Sequence, residues 1–244
     1  MKIIVKYSPN FSKGKRIKKN IKFVIIHYTG MQSEIESIKR LNNPKSKVSC
    51  HYLINREGKI IQMVKDMNTA WHAGKSKWKK INNLNNISLG IELVNKGHKF
   101  GYQNFSSKQI NSLIKLCKNL KKKYLIKKEN FLGHSDIAPL RKMDPGEKFP
   151  WKKLSIHKIG KWYENTMNEI VINKKQMEVL FYKNLKSLGY RYFSLNKRKS
   201  EDKKIISSFQ RHYLPNNVTG KLDKKTYKIS SVSYTHLRAH ETDS

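Results

Sequence analysis

An imidazole, a lysine and a carboxylate fall within eleven residues of the segment Gly133–Gly146: His134, Lys142 and Asp144. His134 and Asp144 are candidate zinc ligands, and Lys142 is a candidate donor to a substrate oxygen. Pro139 interrupts the segment and Pro145-Gly146 closes it, so a regular helix cannot run throughout. It reads as a shaped loop after the short apolar start Asn130-Phe131-Leu132. Fixed turns in such a loop can aim three polar side chains at one point.

A third ligand candidate is His27. It ends the apolar run Phe23-Val24-Ile25-Ile26 and precedes Tyr28-Thr29-Gly30. If the strands before His27 and before His134 lie side by side, their carboxyl ends bring His27, His134 and Asp144 together. Two histidines and one carboxylate leave a fourth position for water, which is the open arrangement of a catalytic zinc site rather than a closed structural one. Such an ion lowers the pKa of bound water to about 7 and polarises a carbonyl oxygen. A proton acceptor is then needed. Glu92 sits near the end of the apolar strand Ser88-Leu89-Gly90-Ile91-Glu92-Leu93-Val94, and apolar company raises a carboxyl pKa toward the range useful for proton shuttling. Lys142 could stabilise a developing oxyanion. Each residue has an ordinary alternative: a strand-end histidine is commonly structural, Glu92 could be an exposed rim residue, and Lys142 could be one more surface lysine.

The elements that must position these residues follow from hydrophobic spacing. Residues 1–21 are basic and irregular, with Ser8-Pro9-Asn10 as a turn. Residues 22–27 read as a buried strand. Ser33 to Leu41 can form a helix, with Ile35, Ile38 and Leu41 on one face. Ser49–Asn55 and Lys59–Val64 read as two strands joined by the turn Arg56-Glu57-Gly58. Ile87–Val94 is a further strand. Ser106–Tyr124 is the clearest helix, with Ser106 and Gln109 as a capping box and Ile110, Leu113, Ile114, Cys117, Leu120 and Tyr124 on one face. A last helix of this part spans Leu154–Tyr163. The fold class is α/β: a central mixed sheet flanked by helices. Residues 164–172 read as a linker. Lys174–Leu188 ended by Gly189, Ser200–Tyr213 and a short helix capped by Asp223 make a small three-helix domain over 173–230. Residues 232–244 contain no lysine in a chain otherwise rich in it, and the tail from 231 is expected to be non-native.

Five segments carry a family resemblance. His27-Tyr28-Thr29, Ser49-Cys50-His51-Tyr52, Ala70-Trp71-His72-Ala73-Gly74, Ser88-Leu89-Gly90-Ile91-Glu92 and His134-Ser135-Asp136-Ile137-Ala138-Pro139 through Gly146 resemble the zinc-dependent N-acetylmuramoyl-L-alanine amidases, the family of phage-lysozyme-like amidases and peptidoglycan recognition proteins. The resemblance covers residues 20–163. It implies one zinc ion on His27, His134 and Asp144, with Glu92 and Lys142 catalytic. It implies cleavage of the amide between N-acetylmuramic acid and L-alanine, in cell-wall turnover or recycling. Tyr28, Trp71 and His72 are expected to line the groove, with core packing as their alternative, and Asn83 and Arg141 to contact substrate. Asn83 stands where some members carry an arginine before Leu-Asn, which leaves stem-peptide preference open. His51, mid-strand, reads as structural. Phe209-Gln210 and Gly220-Lys221-Leu222-Asp223 with Thr226 resemble a three-helix peptidoglycan-binding domain.

Composition limits the alternatives. The formal net charge is +35, from 52 basic residues of which eight are arginine. That is spread along the chain, with no arginine cluster or zinc-finger spacing, so nucleic acid is not expected as the primary partner. A cationic surface also favours anionic polymers such as bacterial cell wall, through attraction that salt weakens. Peptidoglycan or muropeptide is the expected partner. A non-catalytic peptidoglycan-recognition protein is the alternative function, and it should lack a ligand or the base. Cys50 and Cys117 read as buried free thiols. No apolar run reaches transmembrane length. The chain shows no signal-peptide core, so a cytoplasmic enzyme is expected if the start is correct, with a periplasmic one as the alternative. Oligomeric state is not legible.

Overall fold

The computed structural model of the protein describes residues 2–14, 16–163 and 172–241. The expected linker therefore lies outside the described residues except for Ile172, as do residues 242–244 of the tail. The described strands are β1 Ile3–Val5, β2 Phe11–Ser12, β3 Phe23–Tyr28, β4 Tyr52–Ile54, β5 Ile60–Gln62, β6 Thr69–Ala70, β7 Lys77–Trp78, β8 Ile81–Asn82, β9 Ser88–Leu93 and β10 Phe131–Gly133. The α-helices are α1 Glu34–Asn42, α2 Ser107–Tyr124, α3 His134–Ile137, α4 Trp151–Ile156, α5 Lys174–Leu188, α6 Asp202–Tyr213 and α7 Lys224–Glu241.

Six strands form one mixed sheet in the order β1-β5-β4-β9-β3-β10. β4, β9, β3 and β10 run parallel, β5 is antiparallel to β4, and β1 is parallel to β5. The strand expected before His134 does lie beside the strand of His27, with Gly133 opposite Ile26. Alternation then sorts the two faces. Val24, Ile26, Leu89, Ile91 and Leu93 pack with the apolar stripe of α2. Phe23 and Ile25 face the other way and join Trp78, Leu84, Leu132 and Ile137. That second cluster continues without a break into Met177, Phe181, Leu185, Tyr190, Ile205 and Phe209 of the C-terminal helices. The helical module thus shares a core with the sheet.

Side-chain caps stand at three helix starts, those of Ser106 and Asp223 as the sequence suggests, though Gln109 turns its amide to Ile54 O and Val94 O instead of back to Ser106. Ser33 Oγ accepts from Glu36 N, Ser106 Oγ from Gln109 N, and Asp223 Oδ1 from Thr226 N. Gly189, at φ +130°, ends α5, and an added Cβ there would sit 2.4 Å from the Trp78 ring. Three local expectations change. The N-terminal region is not wholly irregular: Ile3–Val5 adds an edge strand whose backbone pairs with β5 while Ile4 and Val5 stay exposed, so burial left no pattern to read. Ile35 of α1 is likewise exposed, and Ser37 and Leu41 are the buried positions of that helix. The helix expected at Leu154–Tyr163 instead spans Trp151–Ile156, and Gly160 at φ +75° packs against the Trp151 ring. Cys50 and Cys117 are free and buried. Among the described residues no helix is long and apolar enough to cross a membrane.

Candidate metal centre

The site lies at the carboxyl ends of the parallel strands. β3 delivers His27 as its fifth residue, and the parallel register sets Glu92 of β9 directly beside it. β10 ends at Gly133, and His134 opens α3, a single helical turn in the segment expected as a loop. The chain then turns back so that Ser135 N–H donates to Asp144 O at 2.8 Å. That bond returns Asp144 to His134 despite the nine residues between them.

Three ligand atoms converge. His27 Nδ1 lies 2.9 Å from His134 Nδ1, and each lies 3.0 Å from Asp144 Oδ2. All three residues are buried. The outward hydrogen bonds decide which nitrogens carry protons. Arg141 Nη2 directs its protons to the carbonyls of Ala73 and Lys75, so His134 Nε2, 3.1 Å from Ala73 O, must donate there. Ser88 Oγ donates to Leu84 O at 2.7 Å and so accepts from His72 Nε2 at 3.2 Å. His72 Nδ1 is then bare and accepts from His27 Nε2 at 3.0 Å. Both Nδ1 atoms therefore point lone pairs into the triangle. Burial, then the repulsion that a proton on His134 would exert, pushes His27 down to about 4, so the His27 ring is neutral at pH 7. Burial likewise holds His72 well below its ordinary range. Asp144 behaves oppositely: burial alone would raise it, but His134 and His27 hold it well below the usual carboxylate range. Two lone pairs and an anionic oxygen repel one another unless a positive charge lies among them. A zinc ion fits this donor set.

β9 serves the site with every second residue. Ser88 orients His72. Gly90 leaves the space in which the His72 ring lies, since an added Cβ would stand 2.4 Å from its Cγ. Glu92 then faces the cavity. Its Oε2 is shielded from solvent and has no hydrogen-bond partner among the described residues. Burial, followed by the charge of Asp144, pushes the Glu92 carboxyl up to about 8, while Lys142 and Arg40 pull the other way.

The cavity holds about 340 Å³ and is bordered by His27, Tyr28, Trp71, Glu92, Lys142 and Asp144, with Arg40 and Lys99 adding positive charge. Tyr28 and Trp71 thus stand at the wall as expected. Tyr28 Oη is 2.8 Å from His98 Nδ1, and His98 Nε2 is 3.1 Å from Glu147. His98 lies in a loop with no pattern in the sequence to mark it. The other three substrate-contact candidates are placed differently, and two of them, His72 and Arg141, also border the cavity. Asn83 is exposed at φ +54° and is not among the cavity's wall residues, because the β7–β8 ribbon turns it to solvent. Asn85 works inward instead, accepting from the backbone N–H groups of His72 and Ala73. Arg141 borders the cavity, yet its guanidinium is committed to two backbone carbonyls and braces the loop. His72 also borders the cavity, but both its ring nitrogens are engaged behind His27. His51 is structural, its Nδ1 accepting from Gly90 N–H at 2.9 Å.

Residues 17–147 match the family model described as N-acetylmuramoyl-L-alanine amidase. The chain is 34% identical over 226 residues to N-acetylmuramoyl-L-alanine amidase AmiD of Escherichia coli, covering 86% of this chain and 81% of that protein. It is 40% identical over 108 residues to 1,6-anhydro-N-acetylmuramyl-L-alanine amidase AmpD of Haemophilus influenzae, covering 44% of this chain and 56% of AmpD. Among solved structures, AmiD in complex with anhydro-N-acetylmuramic acid-L-Ala-D-gamma-Glu-L-Lys aligns with a TM-score of 0.78 at 30% identity, over 92% of each chain. AmpDH3 of Pseudomonas aeruginosa aligns with a TM-score of 0.80 at 29% identity, over 94% of this chain and 97% of that one.

Proposed function

The chain belongs to the N-acetylmuramoyl-L-alanine amidase family, and we propose that it hydrolyses the muramoyl–alanine amide of muropeptides with one zinc ion held by His27, His134 and Asp144. The observation that carries this reading is the triangle of three buried acceptor atoms with edges of 2.9–3.0 Å. A zinc ion bound there lowers the pKa of a bound water and polarises the amide carbonyl.

The protein's own groups do the remainder. Glu92 Oε2, unpartnered and beside His27, takes a proton from the attacking water and passes it to the leaving alanine nitrogen. Lys142 at the cavity wall places a positive charge near the oxygen that becomes negative. Tyr28 and Trp71 offer aromatic surface for the sugar. Arg40 and Lys99 offer cations to the carboxylates of a stem peptide. The substrate is a soluble anhydro-muropeptide of the kind bound in the AmiD complex, and a cavity of this size suits one sugar with the start of its peptide.

The test sets purified sacculi beside soluble anhydro-muropeptides and follows release of free stem peptide by mass spectrometry, with zinc measured in the same preparation. Release of peptide only from sacculi would reject the substrate assignment. Full activity in chelator with no zinc bound would reject the ligand assignment. Cell fractionation separates the two locations open to the enzyme, cytoplasm and periplasm.

A further inference from the structure

The turn that carries His134 is gripped from outside by the C-terminal helices. α3 presents Asp136 away from the metal triangle. Its Oδ1 accepts from Tyr190 Oη at 2.6 Å, and its Oδ2 accepts from His212 Nδ1 at 2.8 Å and from Gly133 N–H at 2.8 Å. One residue earlier, Ser135 O accepts from Ser208 Oγ at 2.7 Å. Ser135 is also the residue whose N–H holds Asp144 O at 2.8 Å. Tyr190, Ser208 and His212 all belong to the helical module, and all are buried, as is Asp136. His212 is itself fixed by stacking on Trp151, with ring centroids 4.1 Å apart and planes 7° apart.

We propose that the helical module is a positioning element for the metal centre, in which Tyr190, Ser208 and His212 hold the peptide that joins His134 to Asp144. A metal ion is bound tightly only when its ligands are already in place, and groups that orient ligands carry a measurable share of affinity. Here the orientation passes through backbone. Asp136 and Ser135 are each anchored to the module on one side and to the ligand segment on the other. A four-residue helix has too few internal bonds to hold its own geometry. The module supplies three buried side-chain donors in their place. The sequence alone suggests the reverse, that residues 173–244 are dispensable for small substrates because every catalytic candidate precedes residue 145.

This inference rests on the His27, His134 and Asp144 ligand reading, so the test carries a control for each. In the full chain, zinc affinity is measured by competition with a chromophoric chelator, and apo melting temperature is measured alongside. Tyr190→Phe removes one oxygen, and His212→Phe removes the donor while keeping a ring on Trp151. His212→Asn restores an N–H near the Nδ1 position. Gln210→Ala damages the module without touching the ligand segment, since the Gln210 side chain bonds Thr219, Gly220, Lys221 and Thr226, all within the module. The expected result is a loss of zinc affinity of about tenfold in Tyr190→Phe and in His212→Phe, the lower end of what outer partners of ligands contribute. His212→Asn should recover most of it, Gln210→Ala should stay within about twofold of the parent, and Asp144→Ala should bind zinc far more weakly than any of them. Falling melting temperatures with unchanged zinc affinity would make the contacts purely structural and overturn the inference. If Asp144→Ala lost zinc while the module variants kept it, the inference alone would fail. If Asp144→Ala kept zinc, the ligand reading would fall and the inference with it. Should His212→Phe not fold, Tyr190→Phe decides.

Discussion

His72 Nδ1 lies 3.0 Å from His27 Nε2, and the proton between them belongs to His27 because Ser88 fixes the other side of the His72 ring. His27 thereby turns a bare Nδ1 toward Asp144. Removing His72 releases both the tautomer and the ring angle of His27, the proposed zinc ligand. His72→Phe is expected to weaken zinc binding by about 10–100-fold. His72→Gln, whose side-chain oxygen can accept from His27, should lose less. Chelator competition on the two purified variants checks the order, and parental zinc affinity in His72→Phe would remove His72 from the site.

Gly90 makes room for that ring. Gly90→Ala places a methyl group where an added Cβ stands 2.4 Å from His72 Cγ. Overpacking of this kind costs about 1–3 kcal/mol. The variant should unfold at lower urea concentration and bind zinc more weakly, because the ring that moves is the one behind His27. A Gly90→Ala protein with parental stability and parental zinc affinity would show that the strand accommodates a side chain there.

Glu92 and Lys142 should be separable from the metal. Glu92→Gln and Lys142→Ala are expected to keep their zinc, whereas Asp144→Ala loses it. Turnover should fall by about 10²–10⁴ in Glu92→Gln and by about 10²–10³ in Lys142→Ala. The pH profile adds a sign. Burial and then the charge of Asp144 raise the Glu92 carboxyl to about 8, so the base form is lost as pH falls through its pKa. A bound cation offsets the Asp144 charge and moves that transition lower. The acid limb of kcat/KM should be present in the parent and absent in Glu92→Gln. A limb of unchanged shape in that variant would assign the titration to another group.

Asp66 predicts an effect on stability remote from the site. Burial would raise this carboxyl, but Tyr124, Tyr52 and Lys123 donate to it and hold it below the ordinary range. A depressed folded pKa contributes stability above the unfolded value of about 3.9, and that contribution is lost as pH falls through the folded value. Asp66→Asn is therefore expected to cost about 1–3 kcal/mol at pH 7. The gap to the parent should close in acid. Urea unfolding at pH 7 and near pH 3 measures it, and a gap that stayed constant would mean that the charge of Asp66 does not matter.

The sequence by itself determined the mixed sheet, the starts of the long helices α2 and α5 and the candidate chemistry. Phe23-Val24-Ile25-Ile26 and Ser88-Leu89-Gly90-Ile91-Glu92 are legible because burial writes apolar side chains at fixed spacing, and Ser106 and Asp223 are legible because a cap needs a side-chain oxygen at one place. His27, His134 and Glu92 could be nominated because each follows or ends such a strand, and Asp144 because it closes the shaped loop that His134 opens. Tertiary structure decided the rest. Asn83 and Arg141 carry the right chemistry, but one is turned to solvent and the other is tied to the carbonyls of Ala73 and Lys75, and no local pattern records where a loop residue points. The roles of His72 and Ser88 depend on which nitrogen carries a proton, which is set by partners up to 45 residues away in the chain. The largest difference is at Asp136. Its bonds to Tyr190 and His212 span 54 and 76 residues, and polar contacts between distant segments leave no periodicity in either one. The sequence therefore shows a helical module following an enzyme domain, and only the folded chain brings that module onto the metal-ligand turn.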